Sequence, residues 1–315
     1  MLCKSPNYIK KVGGLTPCGQ CLPFRINKVR KWTFRLMLEY LGSKEACWVT
    51  LTYNDEHLPH AYFDKTTSRI FEGTNQSGTL APEHMQLFIK RLRRKLPKKI
   101  RFFYCGEYGD HTKRPHYHLC IFGVGKHWVD TIRSAWMNPD TKMPIGLIHI
   151  TDLTPENIKY TCGYALKKMT KKTDFRLNGS YPEFIRCSQG IGKHSISKIA
   201  ESLNCKSAQL YYLTQNDIPR TFTVMGKDYP IDRYTRTKIL QFLNKEDHAK
   251  EHGEKRFKKE MQDLHQRALM APKLRSQYPS KGFALEYQYK QENAQKILNA
   301  TNRATMFLQA KEKTI

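Results

Sequence analysis

His116 and His118 stand two residues apart in Arg114-Pro115-His116-Tyr117-His118-Leu119-Cys120-Ile121-Phe122-Gly123. In an extended chain side chains alternate, so His116, His118, Cys120 and Phe122 share one face, and Tyr117, Leu119 and Ile121 take the other. Both imidazoles then aim the same way, about two residue rises apart, close enough to reach one cation. Upstream, Glu107 ends a second strand-like run, Ile100-Arg101-Phe102-Phe103-Tyr104-Cys105-Gly106-Glu107. The loop from Tyr108 to Pro115 is short, so the two runs should pair antiparallel, with Glu107 beside His116. Two imidazoles and a carboxylate on one side of a sheet make a three-ligand metal site with open positions.

A second reactive set lies on Tyr160-Thr161-Cys162-Gly163-Tyr164-Ala165-Leu166-Lys167-Lys168. Thr154-Pro155-Glu156 opens a helix there, with a capping residue and then proline at the first helical position. Tyr160 and Tyr164, four apart, place their phenols on one face a turn apart, and Lys167 and Lys168 reach the same face. Alone, the pattern describes two packing tyrosines and two solvated lysines. Opposite a metal site it describes nucleophiles, because a phenol with a pKa near ~10 attacks at neutral pH only where cations favour the phenolate.

Other elements must position these groups. Pro23 to Leu41 keeps helical spacing through Ile26, Val29, Trp32, Leu36 and Tyr40. Cys47 to Tyr53 is β-branched and aromatic, the pattern of a central strand. His57 and His60 follow in a loop as accessory ligand candidates, and Thr66 to Gly78 reads as a polar insertion, a hairpin or loop. Glu83 to Leu96 is amphipathic, with Met85, Phe88, Leu92 and Leu96 on one side and Lys90, Arg91, Arg93, Arg94 and Lys95 on the other. His127 to Met137 predicts a helix and Gly146 to Leu153 a strand. Residues 1–200 are expected to form the main domain. Residues 201–315 are expected to be a basic, largely helical extension, with an apolar stripe at Phe257, Met261, Leu264 and Ala268.

Charge narrows the partners. Lys+Arg 54 against Asp+Glu 28 gives a formal net charge of +26. Such an excess favours polyphosphates through counterion release. Arg91, Arg94, Lys95, Arg114, Lys171 and Lys172 are the candidate phosphate contacts. No run approaches the ~18 apolar residues of a membrane span, and the N-terminus lacks an apolar signal-peptide core. Nine scattered cysteines argue against a disulfide framework and for a reducing cytoplasm. Cys18 and Cys21 form a C-x2-C with no second matching pair, so reduced thiols are expected there rather than zinc. Gly190-Ile191-Gly192-Lys193-His194-Ser195 departs from the phosphate-loop pattern: Cys187 holds its first glycine position and His194 follows the lysine. No ATP site is expected.

Trp48-Val-Thr-Leu-Thr-Tyr53, Cys105-Gly-Glu-Tyr-Gly109, Arg114 to Gly123 and Tyr160-x3-Tyr164-x2-Lys167 occur in the order found in HUH endonucleases. Over roughly residues 15–195 the chain most resembles the replication initiation proteins of gokushovirus-like microviruses, small single-stranded DNA bacteriophages. The resemblance implies an α+β fold: a ferredoxin-like or RRM-like central antiparallel sheet flanked by helices. It implies a divalent ion, Mg2+ or Mn2+, on His116, His118 and a third ligand, for which Glu107 is the choice here. It further implies paired nucleophiles at Tyr160 and Tyr164, and Lys167, with Lys168 adjacent, as the catalytic lysine. The implied activity is nicking and rejoining of single-stranded origin DNA through a 5′-phosphotyrosine link, driving rolling-circle replication in the cytoplasm of a bacterial host. Helicase and polymerase would come from that host, and no membrane or small-molecule substrate is involved. Many relatives carry a third cysteine where this chain has Phe24.

Two other classes share some of these features. A non-catalytic single-stranded DNA or RNA binder would use the basic helices, with Tyr53, Tyr104 and Tyr117 stacking on bases. A 2-His-1-carboxylate iron oxygenase would use the same ligands but leave the charge and the tyrosine pair without a role.

Overall fold

The computed structural model describes residues 7–9, 14–16, 22–73, 77–109, 111–167, 177–215 and 217–243. In chain order the elements are β1 (Asn7–Ile9), β2 (Gly14–Thr16), α1 (Leu22–Gly42), β3 (Ala46–Leu51), β4 (Ala61–Asp64), β5 (Arg69–Glu72), α2 (Pro82–Lys95), β6 (Arg101–Tyr108) and β7 (Pro115–Phe122). They continue with α3 (Val129–Ala135), β8 (Ile148–Asp152), α4 (Pro155–Lys167), β9 (Phe184–Cys187), α5 (Ile196–Ser202), α6 (Lys206–Gln215), β10 (Thr221–Val224), β11 (Lys227–Pro230) and α7 (Arg233–Phe242). Cys18, Cys21, Lys168, Lys171, Lys172 and the Phe257–Ala268 stripe lie outside the described residues.

Two compact units are present, Trp32–Ser195 and the combination of Met1–Lys31 with Ile196–Ile315. The first is an α+β fold around a five-stranded sheet of order β8-β3-β7-β6-β9. Every pairing in that sheet is antiparallel. β6 and β7 pair as their short connection requires, with Glu107 opposite His116 and Cys105 opposite His118. The insertion after Tyr53 contains a hairpin, β4–β5, earlier than its polar composition suggests, because Tyr62 and Phe71 anchor its inner face on Tyr181.

Alternation along β7 sorts the layers. Tyr117, Leu119 and Ile121 join Val49 and Leu51 in a core closed by Met85, Phe88, Ile89 and Leu92 of α2 and by Ile132, Ala135 and Trp136 around α3. The other face carries the histidines and meets α4, with Trp32 of α1 against Phe103. A buried ion pair, Glu39 with Arg101, ties α1 to β6, and Glu39 also accepts from Gly192 N–H at 2.6 Å. That contact holds the glycine turn singled out by the sequence against α1. Gly192 has φ 84, and a Cβ there would lie 2.8 Å from Arg35 O, so the turn is built for close packing.

α2 starts without a side-chain cap. Instead Tyr117 Oη accepts from Ala81 N–H at 3.0 Å and stands 3.0 Å from Tyr53 Oη. Tyr117→Phe leaves that buried N–H unsatisfied and is expected to cost about 1–3 kcal/mol in urea unfolding. An unchanged unfolding midpoint would show that the hydroxyl contributes nothing.

The second unit, among the described residues, packs Ile196, Ala200, Ile218, Ile239 and Leu240 into a small core. The antiparallel hairpin β10–β11 interrupts the helices expected beyond residue 200.

Candidate active site

Three antiparallel strands bring distant motifs into one patch. On the α4 face, β7 contributes His116 and His118, β6 contributes Cys105 and Glu107, and β3 contributes Trp48 and Thr50. Glu107 Oε1 lies 2.7 Å from His116 Nε2 and 3.1 Å from His118 Nε2. The ligand atoms of the three residues all lie within 4.8 Å of one another, and among the described residues no other cluster of metal-ligating side chains is this compact.

The far sides of both rings suit coordination through Nε2. His116 Nδ1 lies 3.3 Å from the Arg114 carbonyl oxygen, which can only accept. His118 Nδ1 lies 3.0 Å from Thr50 Oγ1, which is able to accept. With the proton held at Nδ1, each Nε2 presents its lone pair to an ion, the usual arrangement around a metal-bound imidazole. Burial pushes the Glu107 carboxyl up, but hydrogen bonds from His116 and His118 and their charge more than reverse this and hold it at about 2. Glu107 is therefore an anion at every physiological pH, as a hard divalent ion requires.

Both tyrosines of α4 reach the cluster. The Tyr164 ring lies parallel to His118 with centroids 5.0 Å apart, and the Tyr160 ring meets His118 edge-on at 5.3 Å. Tyr164 is 3% exposed; Tyr160 is more open. Burial pushes the Tyr164 phenol well up, and the Glu107 charge pushes it further. Trp48 fixes the spacing: its ring lies parallel to His118 at 5.4 Å, and its Nε1–H donates to Thr161 Oγ1 of α4 at 3.0 Å. The motifs alone do not single out Trp48 and Thr50 as site residues, although their alternation along β3 puts them on one face.

The remaining candidates are placed elsewhere. Lys167 is the last residue of α4. Arg114 spans Asp55, at 2.7 Å, and the Tyr53 carbonyl, at 3.2 Å, beside the histidine strand. Arg91 donates to the Ala135 carbonyl at 2.8 Å, holding the end of α3, while Arg94 and Lys95 are exposed on α2, in the layer opposite the histidines. His57 bonds to Asn54 and Asn138 and lies outside the cluster. Tyr53, Tyr104 and Tyr117, expected as stacking platforms for a pure binder, are all buried in the sheet core. No base reaches them.

Residues 46–173, which hold all the groups of the cluster and both tyrosines, match the family model of the replication-associated protein ORF2. The chain carries a replication-associated domain of the ORF2 family. It is similar to the replication-associated protein ORF2 of Spiroplasma virus 4, 31% identical over 206 residues, covering 59% of this chain and 58% of that one. It is also similar to the replication-associated protein VP4 of Bdellovibrio phage phiMH2K, 29% identical over 243 residues, covering 69% and 65%. The chain thus spans less than two thirds of these relatives' own length. The solved N-terminal nuclease domain of minute virus of mice non-structural protein-1 overlaps 71% of this chain and 98% of its own at 12% identity, with a TM-score of 0.19 that carries no argument. The domain is the kind expected from the motifs, and among the described residues no helix is long and apolar enough to cross a membrane.

Proposed function

We propose that this replication-associated domain is a tyrosine endonuclease that nicks and rejoins single-stranded origin DNA in a bacterial host. The observation that carries the reading is the meeting of a Glu–His–His cluster and two tyrosines around the single ring of His118. A divalent ion, Mg2+ or Mn2+, would be held by Glu107, His116 and His118, and would supply Lewis-acid stabilisation of charge on a scissile phosphate. Tyr160, the more open phenol, attacks phosphorus. The phosphate bond to the upstream 3′ oxygen breaks, leaving a 5′-phosphotyrosine and a free 3′-hydroxyl. The new ester keeps the phosphodiester linkage, so rejoining is attack by a 3′-hydroxyl and needs no nucleotide. Tyr164 serves the second transfer, which suits a rolling circle, and Lys167 and Lys168 offset charge on the phenolate or phosphate. Arg94, Lys95, Arg114, Lys171 and Lys172 hold flanking phosphates, and host helicase and polymerase extend the 3′ end.

The test is covalent capture. Labelled single strands from the DNA that encodes this chain are incubated with the protein and Mn2+ or Mg2+, then run on denaturing gels. A labelled protein–DNA adduct that EDTA abolishes and added metal restores is the expected result. Tight binding with no adduct under either ion would overturn the nuclease in favour of a binder.

A further inference from the structure

Around the metal cluster one side is open. Glu107 and His118 are 3% and 5% exposed, and Tyr164 lies over His118. His116, with a side chain 20% exposed, is the ligand that faces out. Continuing the register one residue past Leu51↔Tyr117 and Leu51↔Ile148 sets Thr52 opposite both His116 and Leu147. Leu147, Thr52, His116 and Glu107 therefore form one row across the sheet, leading from the cluster to the edge strand β8. Two residues on from Leu147, His149 meets Trp48 edge-on at 6.3 Å, which puts both on the face of the histidines.

Leu147 is 80% exposed, the largest exposure among the apolar side chains of the described residues. Single exposed leucines are ordinary. This one is held in place. Thr52 N–H donates to the Leu147 carbonyl at 3.0 Å, and Leu147 N–H donates to Thr52 Oγ1 at 3.1 Å. Gly146 packs so closely on β3 that a Cβ there would lie 2.1 Å from Thr52 O. A fixed backbone thus presents a bare apolar side chain beside the open ligand of a site set in a chain of charge +26.

We propose that Leu147 is a nucleobase wedge: it packs on the face of a base adjoining the phosphate at the metal cluster, splaying the strand so that this phosphate meets Tyr160. Leucine is among the side chains that insert between bases, and contact with a base face tolerates any sequence. His149, next along the face, offers the same strand a hydrogen bond. The inference rests on the nicking reading above and adds to it where the bases sit.

Overlapping single-stranded oligonucleotides from the DNA that encodes this chain first map the nick by adduct formation. Abasic residues are then placed one at a time on each side of it. In wild type, one abasic position should slow adduct formation about tenfold, the scale of one lost base contact. Leu147→Ala should be slowed by a similar factor on intact DNA and be indifferent to that abasic position, with Mn2+ affinity and melting temperature unchanged. Gly146→Ala, which displaces the backbone under Leu147, should behave the same way. A Leu147→Ala protein that keeps both the wild-type rate and its abasic sensitivity overturns the wedge and leaves the nuclease standing. No adduct from wild type on any oligonucleotide overturns both.

Discussion

Glu107→Gln is expected to lower the affinity for Mn2+ by at least about 100-fold, since even partners one step removed from a metal cost up to that factor. The amide keeps the shape of the carboxylate but not its charge, and Glu107 is the one anion in the cluster. Titration calorimetry on the full chain reads the loss directly. In EDTA the same variant should also change how stability depends on pH. Glu107 is held at about 2 in the fold against an ordinary 4.5. A depressed carboxyl stabilises the folded state at every pH above the unfolded value, and that contribution disappears as pH falls through 4.5 toward 2. The difference corresponds to about 3 kcal/mol. The melting temperatures of wild type and Glu107→Gln should therefore be furthest apart above about pH 5 and converge in acid. Parallel melting curves across that range would show that the carboxylate is not held by the histidines in solution.

Tyr160→Phe should reduce covalent adduct by about a thousandfold or more, the scale on which loss of a nucleophile is felt. Tyr164→Phe should cost far less in the first cleavage. Its phenyl ring still lies along His118, while the hydroxyl it loses belongs to a buried phenol whose ionisation Glu107 opposes. The pair of variants separates the two roles by site of linkage: peptide mapping of the wild-type adduct should find DNA on Tyr160. Rejoining of a second strand, followed with a pre-nicked acceptor, is where Tyr164→Phe should fail. DNA found on Tyr164 after a single cleavage would reverse the order of attack.

Periodicity made the chemistry of this chain readable. A period of two put His116 and His118 on one face, and a spacing of four put Tyr160 and Tyr164 on another, and both faces point at the same place in the fold. β6 and β7 announced themselves through long apolar runs. β9 did not: Phe184–Cys187 has four residues, and only pairing with β6 makes it a strand. The hairpins β4–β5 and β10–β11 are equally short. Charge was less informative than pattern. The basic side of α2 follows from its sequence, but nothing there shows that Arg91 holds the Ala135 carbonyl or that the helix lies behind the sheet rather than over the histidines. The aromatic residues Tyr53, Tyr104 and Tyr117 are similarly ambiguous, because an aromatic strand residue packs inward or stacks outward with the same local sequence. Tertiary context decided for the core.

The residue-for-residue register of β3, β7 and β6 has an evolutionary corollary. Thr50, His118 and Cys105 stand side by side, as do His116 and Glu107 in the next row. A single codon gained or lost inside any of these strands would turn every later side chain of that strand to the wrong face, carrying a ligand into the core and a core residue into the site. The Tyr108–Arg114 turn and the chain between α4 and β9 lie outside that register. Lineages descended from this domain should therefore accumulate insertions and deletions in those connections while keeping strand lengths invariant, even where most of the strand residues themselves have been replaced.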